Sequence, residues 1–241
     1  MSDAYKHFLS GSKNPKRAVE KIQYDIQFER DHPEFFHPDG FICFCGGQGS
    51  GKTLSASQYI HELVLRYPKV KIIANCSLHF PDWDGEVIRY EGYEQVQNFD
   101  NGYAGIILFL DEIHAEFNSL ESKKIDPAWF TVISQQRKRR LHVVGTSQVF
   151  ERVAKCWREQ FTACIICRGW FGIIQYNRVV CLDDIEENDK GDVMNYQTSD
   201  TRIWFRDVKV YDYYDTWERV ERKEDVTDAN SRRSEFDDLP C

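Results

Sequence analysis

The chain has 241 residues, of which 41% are hydrophobic, 29% charged and 14% aromatic. This ordinary composition excludes collagen-like, low-complexity and wholly disordered classes, and the length suits one domain with terminal arms. The formal net charge of −8 excludes a protein that coats polyanions generally, so any contact with nucleic acid requires a local basic patch. The sequence has no run of about 18 apolar residues and no apolar signal-peptide core near its start, so we expect no membrane span.

The eight cysteines do not have the spacing of a disulfide scaffold or a zinc tetrad. Cys164 and Cys167 form a CxxC pair inside the apolar run FTACIIC, where an extended strand would point them to opposite faces. Cys43 and Cys45 lie in a second apolar run, FICFC. We therefore predict buried free thiols in a reduced, cytoplasmic protein.

The predicted elements alternate between strands and helices along the chain. In the first half, the pattern predicts helices over Lys16–Arg30, Lys52–Tyr67 and Tyr93–Phe99, strands over Phe41–Cys45, Val70–Cys76 and Gly105–Leu110, and a loop over Leu78–Gly92. In the second half, it predicts helices over Asp126–Arg140 and Val149–Trp157, and strands over Leu141–Gly145, Phe161–Cys167, Ile173–Leu182 and Arg202–Val210, the last two partly as a hairpin.

This alternation predicts an α/β fold with a mainly parallel central sheet, helices on both faces and added C-terminal strands. We place a polar N-terminal extension at 1–38, one domain at 39–217 and a charged tail at 218–241. The tail should be mobile, or form a solvated surface helix in its first half, because it has few apolar residues.

A glycine-rich turn, GGQGSGKT at 46–53, satisfies the pattern G-x-x-x-x-G-K-[ST] between a predicted buried strand and a predicted helix. In this setting backbone N–H groups and the positive end of the helix converge on phosphate. We predict that Lys52 reaches the β- and γ-phosphates and that Thr53 ligates Mg²⁺; a purely structural turn is the alternative. The predicted nucleotide-binding residues are Gly46, Gly47, Gln48, Gly49, Ser50, Gly51, Lys52, Thr53 and Leu54.

Two acids, Asp111 and Glu112, directly follow the apolar run Ile106–Leu110. Since parallel strands place ligand groups at their carboxyl ends, Asp111 should face the Mg²⁺ and Glu112 should polarise an attacking water. Solvated acids at a strand end are the alternative. Water activation indicates hydrolysis, and the absence of an N-K-x-D guanine motif favours ATP over GTP.

Gln148 follows the predicted strand Leu141–Gly145. If this strand lies beside the strand that precedes the glycine-rich turn, Gln148 would sense the γ-phosphate or orient the water. The alternative is an ordinary strand-end cap through Thr146 or Ser147. His114 either lines the site or is an ordinary residue at a helix start.

The run Arg137–Arg140 is the clearest basic patch in this acidic chain. Three interpretations remain open: cations that complement the carbonyl end of a helix, an arginine finger such as Arg137 that reaches a neighbouring subunit's γ-phosphate, or a contact with a nucleic-acid backbone. Arg158 is a second candidate for the finger.

The motifs GGQGSGKT, ILFLDEIH, QQRKRR and HVVGTSQ together resemble the additional-strand ATPases with a catalytic glutamate, and within these the FtsK/HerA clade. The stretch SQQRKRRLHVVGTSQVFERVAKCWREQ and the later YDYYDTWE are similar to zonular occludens toxin N-terminal domains, filamentous-phage assembly ATPases and viral genome-packaging ATPases. The likeness covers about residues 40–217.

The resemblance implies a strand inserted between the phosphate-loop strand and the acidic-pair strand. It implies an ATP- and Mg²⁺-dependent ring, often a hexamer, in the host cytoplasm or associated with a virion. Lys52, Thr53, Asp111, Glu112 and Gln148 would then have the roles given above.

Three functions follow from the resemblance and the motifs. The favoured one is a DNA-translocating ATPase that packages a viral genome at a capsid vertex, and the second is an assembly or secretion ATPase at a membrane complex. Because toxin-like assembly ATPases typically continue into a membrane span, which this sequence lacks, packaging is expected over export. A slow nucleotide switch is the third, and Glu112 argues against it.

Overall fold

The computed structural model describes residues 15–38, 40–115, 117, 128–150, 153, 155–187 and 193–215. Its helices are α1 (Pro15–Asp31), α2 (Lys52–Arg66), α3 (Tyr93–Asn98), α4 (Ala128–Ser134), α5 (Gln136–Arg139) and α6 (Lys155–Arg158). Its strands are β1 (Gly40–Cys45), β2 (Lys71–Ala74), β3 (Val87–Arg89), β4 (Ile106–Leu110), β5 (Leu141–Ser147), β6 (Ala163–Trp170), β7 (Ile174–Cys181), β8 (Ile185–Glu187), β9 (Val193–Tyr196) and β10 (Asp200–Phe205).

The main sheet has eight strands in the order β10-β7-β6-β1-β5-β4-β2-β3. The six strands from β6 to β3 are parallel to one another, whereas β7 pairs antiparallel with both β6 and β10. Strands β8 and β9 form a separate antiparallel pair. The predicted α/β class with added C-terminal strands is therefore confirmed.

Strand β5 lies between β1 and β4, parallel to both. This is the inserted strand that the resemblance implies. Because parallel neighbours end at the same edge of the sheet, the segments that follow β1, β4 and β5 meet there.

The two faces of the sheet bury different helices, because successive side chains of a strand point to opposite faces. In β1, Ile42 and Phe44 pack with the apolar side chains of α2, including Leu54 and Ile60. Phe41, Cys43 and Cys45 face the other side. They pack with side chains of α3, α4 and α6, namely Val96, Trp129, Val132, Ile133 and Trp157. Helices thus cover both faces, as predicted.

The cysteines follow the same alternation. Cys164 belongs to the cluster under α4, whereas Cys167 belongs to the cluster under α2, so the CxxC pair is split between the faces. Both thiols are buried and free, as predicted. Burial raises the pKa of the Cys167 thiol to about 12, which keeps it protonated and unreactive at neutral pH.

Several predicted elements differ from those observed. The helix predicted over Asp126–Arg140 is split at Gln135 into α4 and α5, and its expected cap, Asp126-Pro127, lies outside the described residues, as does the predicted tail 218–241. Within the helix predicted over Val149–Trp157, the described helical residues are Phe150, which is 3₁₀, and those of α6.

The strand predicted over Arg202–Val210 ends at Phe205. A 3₁₀ helix follows at Val208–Tyr213, because the Asp207 side chain accepts a hydrogen bond from the Lys209 N–H and caps that turn. Strand β3, only three residues long and only partly buried, falls within the predicted loop Leu78–Gly92. Among the described residues, no helix is long and apolar enough to cross a membrane.

Candidate nucleotide-binding site

The glycine-rich turn joins the end of β1 to the first residue of α2. Gly51 caps α2 with a φ of 85°, a left-handed conformation that glycine adopts without strain. At Gly46, an added Cβ would lie 2.7 Å from the Cys167 carbonyl oxygen of β6. The turn therefore lies tightly against β6, and the start of α2 lines a cavity that an anion can enter.

Lys52 is the first residue of α2 and is only 7% exposed. Its Nζ lies 4.0 Å from Glu112 Oε1 across the site. The predicted phosphate-binding cation and the predicted water-activating carboxylate are thus brought together.

Asp111 lies where β4 ends and is held by three side chains: Thr53 of α2, Thr146 of β5 and Asn75, which directly follows β2. Asp111 Oδ1 accepts hydrogen bonds from Thr53 Oγ1 at 3.0 Å and from Thr146 Oγ1 at 2.7 Å. Its backbone is paired with the Asn75 side chain through two hydrogen bonds of 2.8 and 2.9 Å. A threonine hydroxyl and a carboxylate oxygen thus lie side by side, and these are the hard oxygen ligands that Mg²⁺ accepts.

Glu112 has a left-handed backbone with a φ of 51°. Such a conformation costs a non-glycine residue about 1–3 kcal/mol and is typical of functional sites. Its N–H donates to Thr146 Oγ1 at 2.9 Å, and its Oε2 lies 3.3 Å from His114 Nδ1. Because the side chain is 31% exposed, it can meet a water molecule in the site.

Thr146 connects the two acids. Its hydroxyl donates to Asp111 and accepts from the Glu112 N–H, and the residue is fully buried in β5. The sequence suggested only a strand-end cap here. The feature that could have identified Thr146 as a site residue is its position near the carboxyl end of the strand between β1 and β4.

We expect Thr146→Val, which keeps the branched shape but removes the hydroxyl, to lower ATP hydrolysis at least about 10-fold and stability by about 1–3 kcal/mol. The reason is that the Glu112 N–H loses its acceptor and Asp111 loses a donor. Steady-state hydrolysis and thermal unfolding check this, with Thr146→Ser as the control that retains the hydroxyl. Wild-type hydrolysis by Thr146→Val would contradict the role.

Gln148 follows the end of β5, whose last residue Ser147 pairs with Cys45, the last residue of β1. Strand β5 therefore lies beside β1, which is the arrangement that the predicted role of Gln148 requires. The side chain is half-buried at the edge of the sheet where the phosphate loop begins. Its role as a γ-phosphate sensor stays a prediction.

The basic run Arg137–Arg140 lies at the opposite edge of the sheet, before β5 begins. Arg140 stacks on Phe35, with its guanidinium carbon 3.3 Å from the ring centroid, and Arg139 donates to the carbonyl oxygens of Gln97 and Phe99. These two cations have structural roles in this chain. Arg137 and Lys138 are exposed.

Arg158 lies in α6 and is only 4% exposed. Its guanidinium carbon lies 5.3 Å from the Phe150 ring centroid. A finger must reach a neighbouring subunit, so Arg158 would first have to leave this packed position.

A polar network that holds the phosphate loop was not predicted. Gln175 of β7 donates to the Ser50 carbonyl at 3.1 Å and to Asn177, which in turn bonds Ser55 of α2. Gln175 Oε1 accepts from Arg206 at 2.7 and 3.0 Å. Strand β7 and Arg206, which directly follows β10, thus hold the loop in place through hydrogen bonds.

A cavity of about 360 Å³ opens in front of the loop. Its lining combines Gly49, Gly51, Lys52, Thr53, Leu54, Cys76 and Asp111 with Arg206, Tyr211, Tyr214 and Asp215 from the C-terminal part of the chain. The second group was not among the predicted site residues.

The fold and this site define a P-loop ATPase. The model of the family described as ATPase family associated with various cellular activities (AAA) matches residues 42–167, which is more than half of the chain, and the chain belongs to this family. The family-level expectation is therefore confirmed. No curated protein sequence matches the chain.

Two solved structures illustrate the likeness. The N-terminal domain of zonular occludens toxin from Neisseria meningitidis is 14% identical, with a TM-score of 0.49, and the match covers 74% of this chain and 100% of that one. The genome packaging NTPase B204 from Sulfolobus turreted icosahedral virus 2, in complex with ATP-gammaS, is 12% identical, with a TM-score of 0.48, and the match covers 67% and 98% of the two chains.

Proposed function

We propose that this chain is a Mg²⁺-dependent motor that hydrolyses ATP to translocate DNA, as in the packaging of a viral genome. The observation that carries the hydrolytic part is the placement of Glu112. It stands in a strained backbone conformation beside Lys52, directly after the Asp111 that contacts Thr53.

Different residues of the chain bind the phosphates and the metal ion. Backbone N–H groups of the glycine-rich turn and Lys52 bind the phosphates, while Thr53 and Asp111 would hold Mg²⁺. The donor set fits this ion, which uses few protein ligands and completes its octahedron with phosphate oxygens and water. When bound, Mg²⁺ neutralises charge on the β- and γ-phosphates.

Hydrolysis then requires a water in line with the γ-phosphate. Glu112 orients this water and accepts its proton, and Thr146 fixes the backbone from which Glu112 projects. Gln148, at the end of the neighbouring strand, senses the γ-phosphate.

The proposed partners are further copies of the chain in a ring, and DNA. The support for DNA is the exposed pair Arg137 and Lys138 on an acidic protein. They lie about 20 Å from the phosphate loop, the length of β5, so within one subunit they cannot contact the same phosphates. In this proposal, Arg137 contacts either a neighbouring subunit's γ-phosphate or DNA, and not the phosphates bound by its own subunit.

The alternative is an assembly or secretion ATPase that docks on a protein complex, including one at a membrane. Exposed apolar side chains at the end of β6, on the turn after it, on β10 and at the start of the following 3₁₀ helix favour it: Trp170, Phe171, Ile173, Ile203, Phe205 and Val208, with Phe171 96% exposed. Such a surface suits a protein partner better than a phosphate backbone.

Steady-state ATP hydrolysis, with and without double-stranded DNA at low salt, separates the two functions. We expect DNA to stimulate hydrolysis, and the stimulation to fall as salt rises, because phosphate contacts release counterions. Glu112→Gln is the blank. Hydrolysis that is indifferent to DNA would contradict translocation and favour the assembly function.

The variants Arg137→Ala and Lys138→Ala refine this assay. If Arg137 contacts DNA, both Arg137→Ala and Lys138→Ala should lose the stimulation of hydrolysis by DNA and keep the rate measured without DNA. If Arg137 is a finger, its loss also lowers hydrolysis without DNA, whereas the loss of Lys138 does not.

A further inference from the structure

The C-terminal arm, residues 206–215, contributes Arg206, Tyr211, Tyr214 and Asp215 to the wall of the cavity in front of the phosphate loop. We infer that this arm is the base-binding subsite of the nucleotide, with the rings of Tyr211 and Tyr214 against the base. The inference rests on the proposed function, since it requires the phosphates to lie on residues 46–53.

The arm is fixed to the phosphate loop by Arg206. Its Nη2 lies 3.4 Å from the Ser50 carbonyl oxygen and 2.7 Å from Gln175 Oε1, and its Nη1 lies 3.5 Å from Tyr211 Oη. One guanidinium therefore bridges the loop, β7 and the first tyrosine. Arg206 is a positioning residue that sets the distance between the phosphate-binding loop and the arm.

The arm is also anchored at its other end. Tyr213 is 7% exposed and packs against His61 and Phe80, with ring centroids 4.5 and 5.3 Å apart. The His79 N–H donates to the Tyr213 carbonyl at 2.9 Å, and Tyr214 forms a bridge with Leu78. Tyr211 and Tyr214 thus stand on a segment held on both sides, and a preformed wall loses little entropy on binding.

The chemistry of the wall suits the nucleoside end of a nucleotide. Aromatic rings stack on bases whatever the base, and Asp215 adds to the lining a carboxylate, a group that accepts hydrogen bonds from hydroxyls such as those of ribose. Elsewhere in the lining of the same cavity, Lys52, Thr53 and Asp111 suit phosphate and Mg²⁺. A cavity of about 360 Å³ with one phosphate-binding wall and one aromatic wall is large enough for a small-molecule ligand.

Calorimetric titration of the full chain with ADP and with inorganic pyrophosphate tests the inference, because the two ligands differ by the nucleoside. With Mg²⁺ present, we expect ADP to bind about 5–100-fold more tightly than pyrophosphate. Tyr211→Ala and Tyr214→Ala should each weaken ADP binding within this range and leave pyrophosphate affinity unchanged. Tyr214→Phe should retain ADP affinity, since stacking needs only the ring.

The controls separate this inference from the proposed function. Lys52→Ala should weaken both ligands, because both place phosphate on the loop. Tyr211 is 42% exposed, so its truncation should not disturb folding. Equal affinities of the wild type for ADP and pyrophosphate, or an equal loss of both in the tyrosine variants, would overturn the base subsite alone. A wild type that binds neither ligand would overturn the phosphate site as well.

Discussion

Glu112→Gln is expected to lower the rate of ATP hydrolysis by about 10²–10⁴-fold while ATP still binds. The amide keeps the size of the side chain but cannot accept a proton from the attacking water. The backbone hydrogen bond from Glu112 to Thr146 does not involve the replaced group, so the site should keep its shape. Phosphate release at saturating ATP and equilibrium ATP binding measure the two effects separately.

The matched control is Glu86→Gln, which makes the same chemical change at an exposed carboxylate paired with Lys71 on the surface. It should hydrolyse ATP at the wild-type rate. If Glu112→Gln also retained that rate, water activation would belong to another residue, and the acids after β4 would serve only to bind the metal.

Lys52→Ala is expected to weaken ATP binding about 10–100-fold and to abolish measurable hydrolysis. Charge-assisted hydrogen bonds are worth about 1.5–3 kcal/mol each, and each 1.4 kcal/mol is tenfold in affinity. Lys52 is nearly buried and its Nζ lies 4.0 Å from Glu112, so alanine removes the cation from the centre of the site. Equilibrium binding of an ATP analogue that is not hydrolysed gives the measurement.

Lys69→Ala is the control for this variant, because Lys69 is exposed in the loop that follows α2. Its affinity for the analogue should equal that of the wild type. An unchanged affinity in Lys52→Ala would mean that the triphosphate does not lie on the glycine-rich turn.

The parts of the site that the sequence predicted are those encoded locally. The phosphate loop needs only eight consecutive residues between a strand and a helix, and Asp111-Glu112 needs only a strand that ends in two acids. Both arrangements follow from neighbouring residues, so their pattern is visible in one sequence. The two core faces could be expected for the same reason, since alternation along β1 assigns Phe41 and Ile42 to opposite sides.

The parts that could not be predicted depend on contacts between distant residues. Arg206 meets Ser50 across 156 positions, and Thr146 meets Asp111 across 35. Neither contact leaves a local pattern, because each depends on the order of the strands in the sheet. The placement of β5 between β1 and β4 was expected only through the resemblance to additional-strand ATPases.

The different environments of the residues in the basic run Arg137–Arg140 also could not be predicted from the sequence. In the sequence, these four consecutive cations form a single basic patch, but in the structure their burial differs. Arg139 and Arg140 are half-buried and contact backbone carbonyls and the aromatic ring of Phe35, whereas the side chains of Arg137 and Lys138 are exposed to solvent. Helical periodicity alone could not make this division, because the partners come from α3 and from the segment before β1.

The measurement that tests the account most directly is a structure of Glu112→Gln with ATP and Mg²⁺. We predict the triphosphate on the N–H groups of residues 46–53, the metal between Thr53 and Asp111, a water between the γ-phosphate and residue 112, and the base against Tyr211 and Tyr214. A triphosphate bound away from residues 46–53, or a γ-phosphate out of reach of residue 112, would contradict the hydrolytic site proposed for this chain.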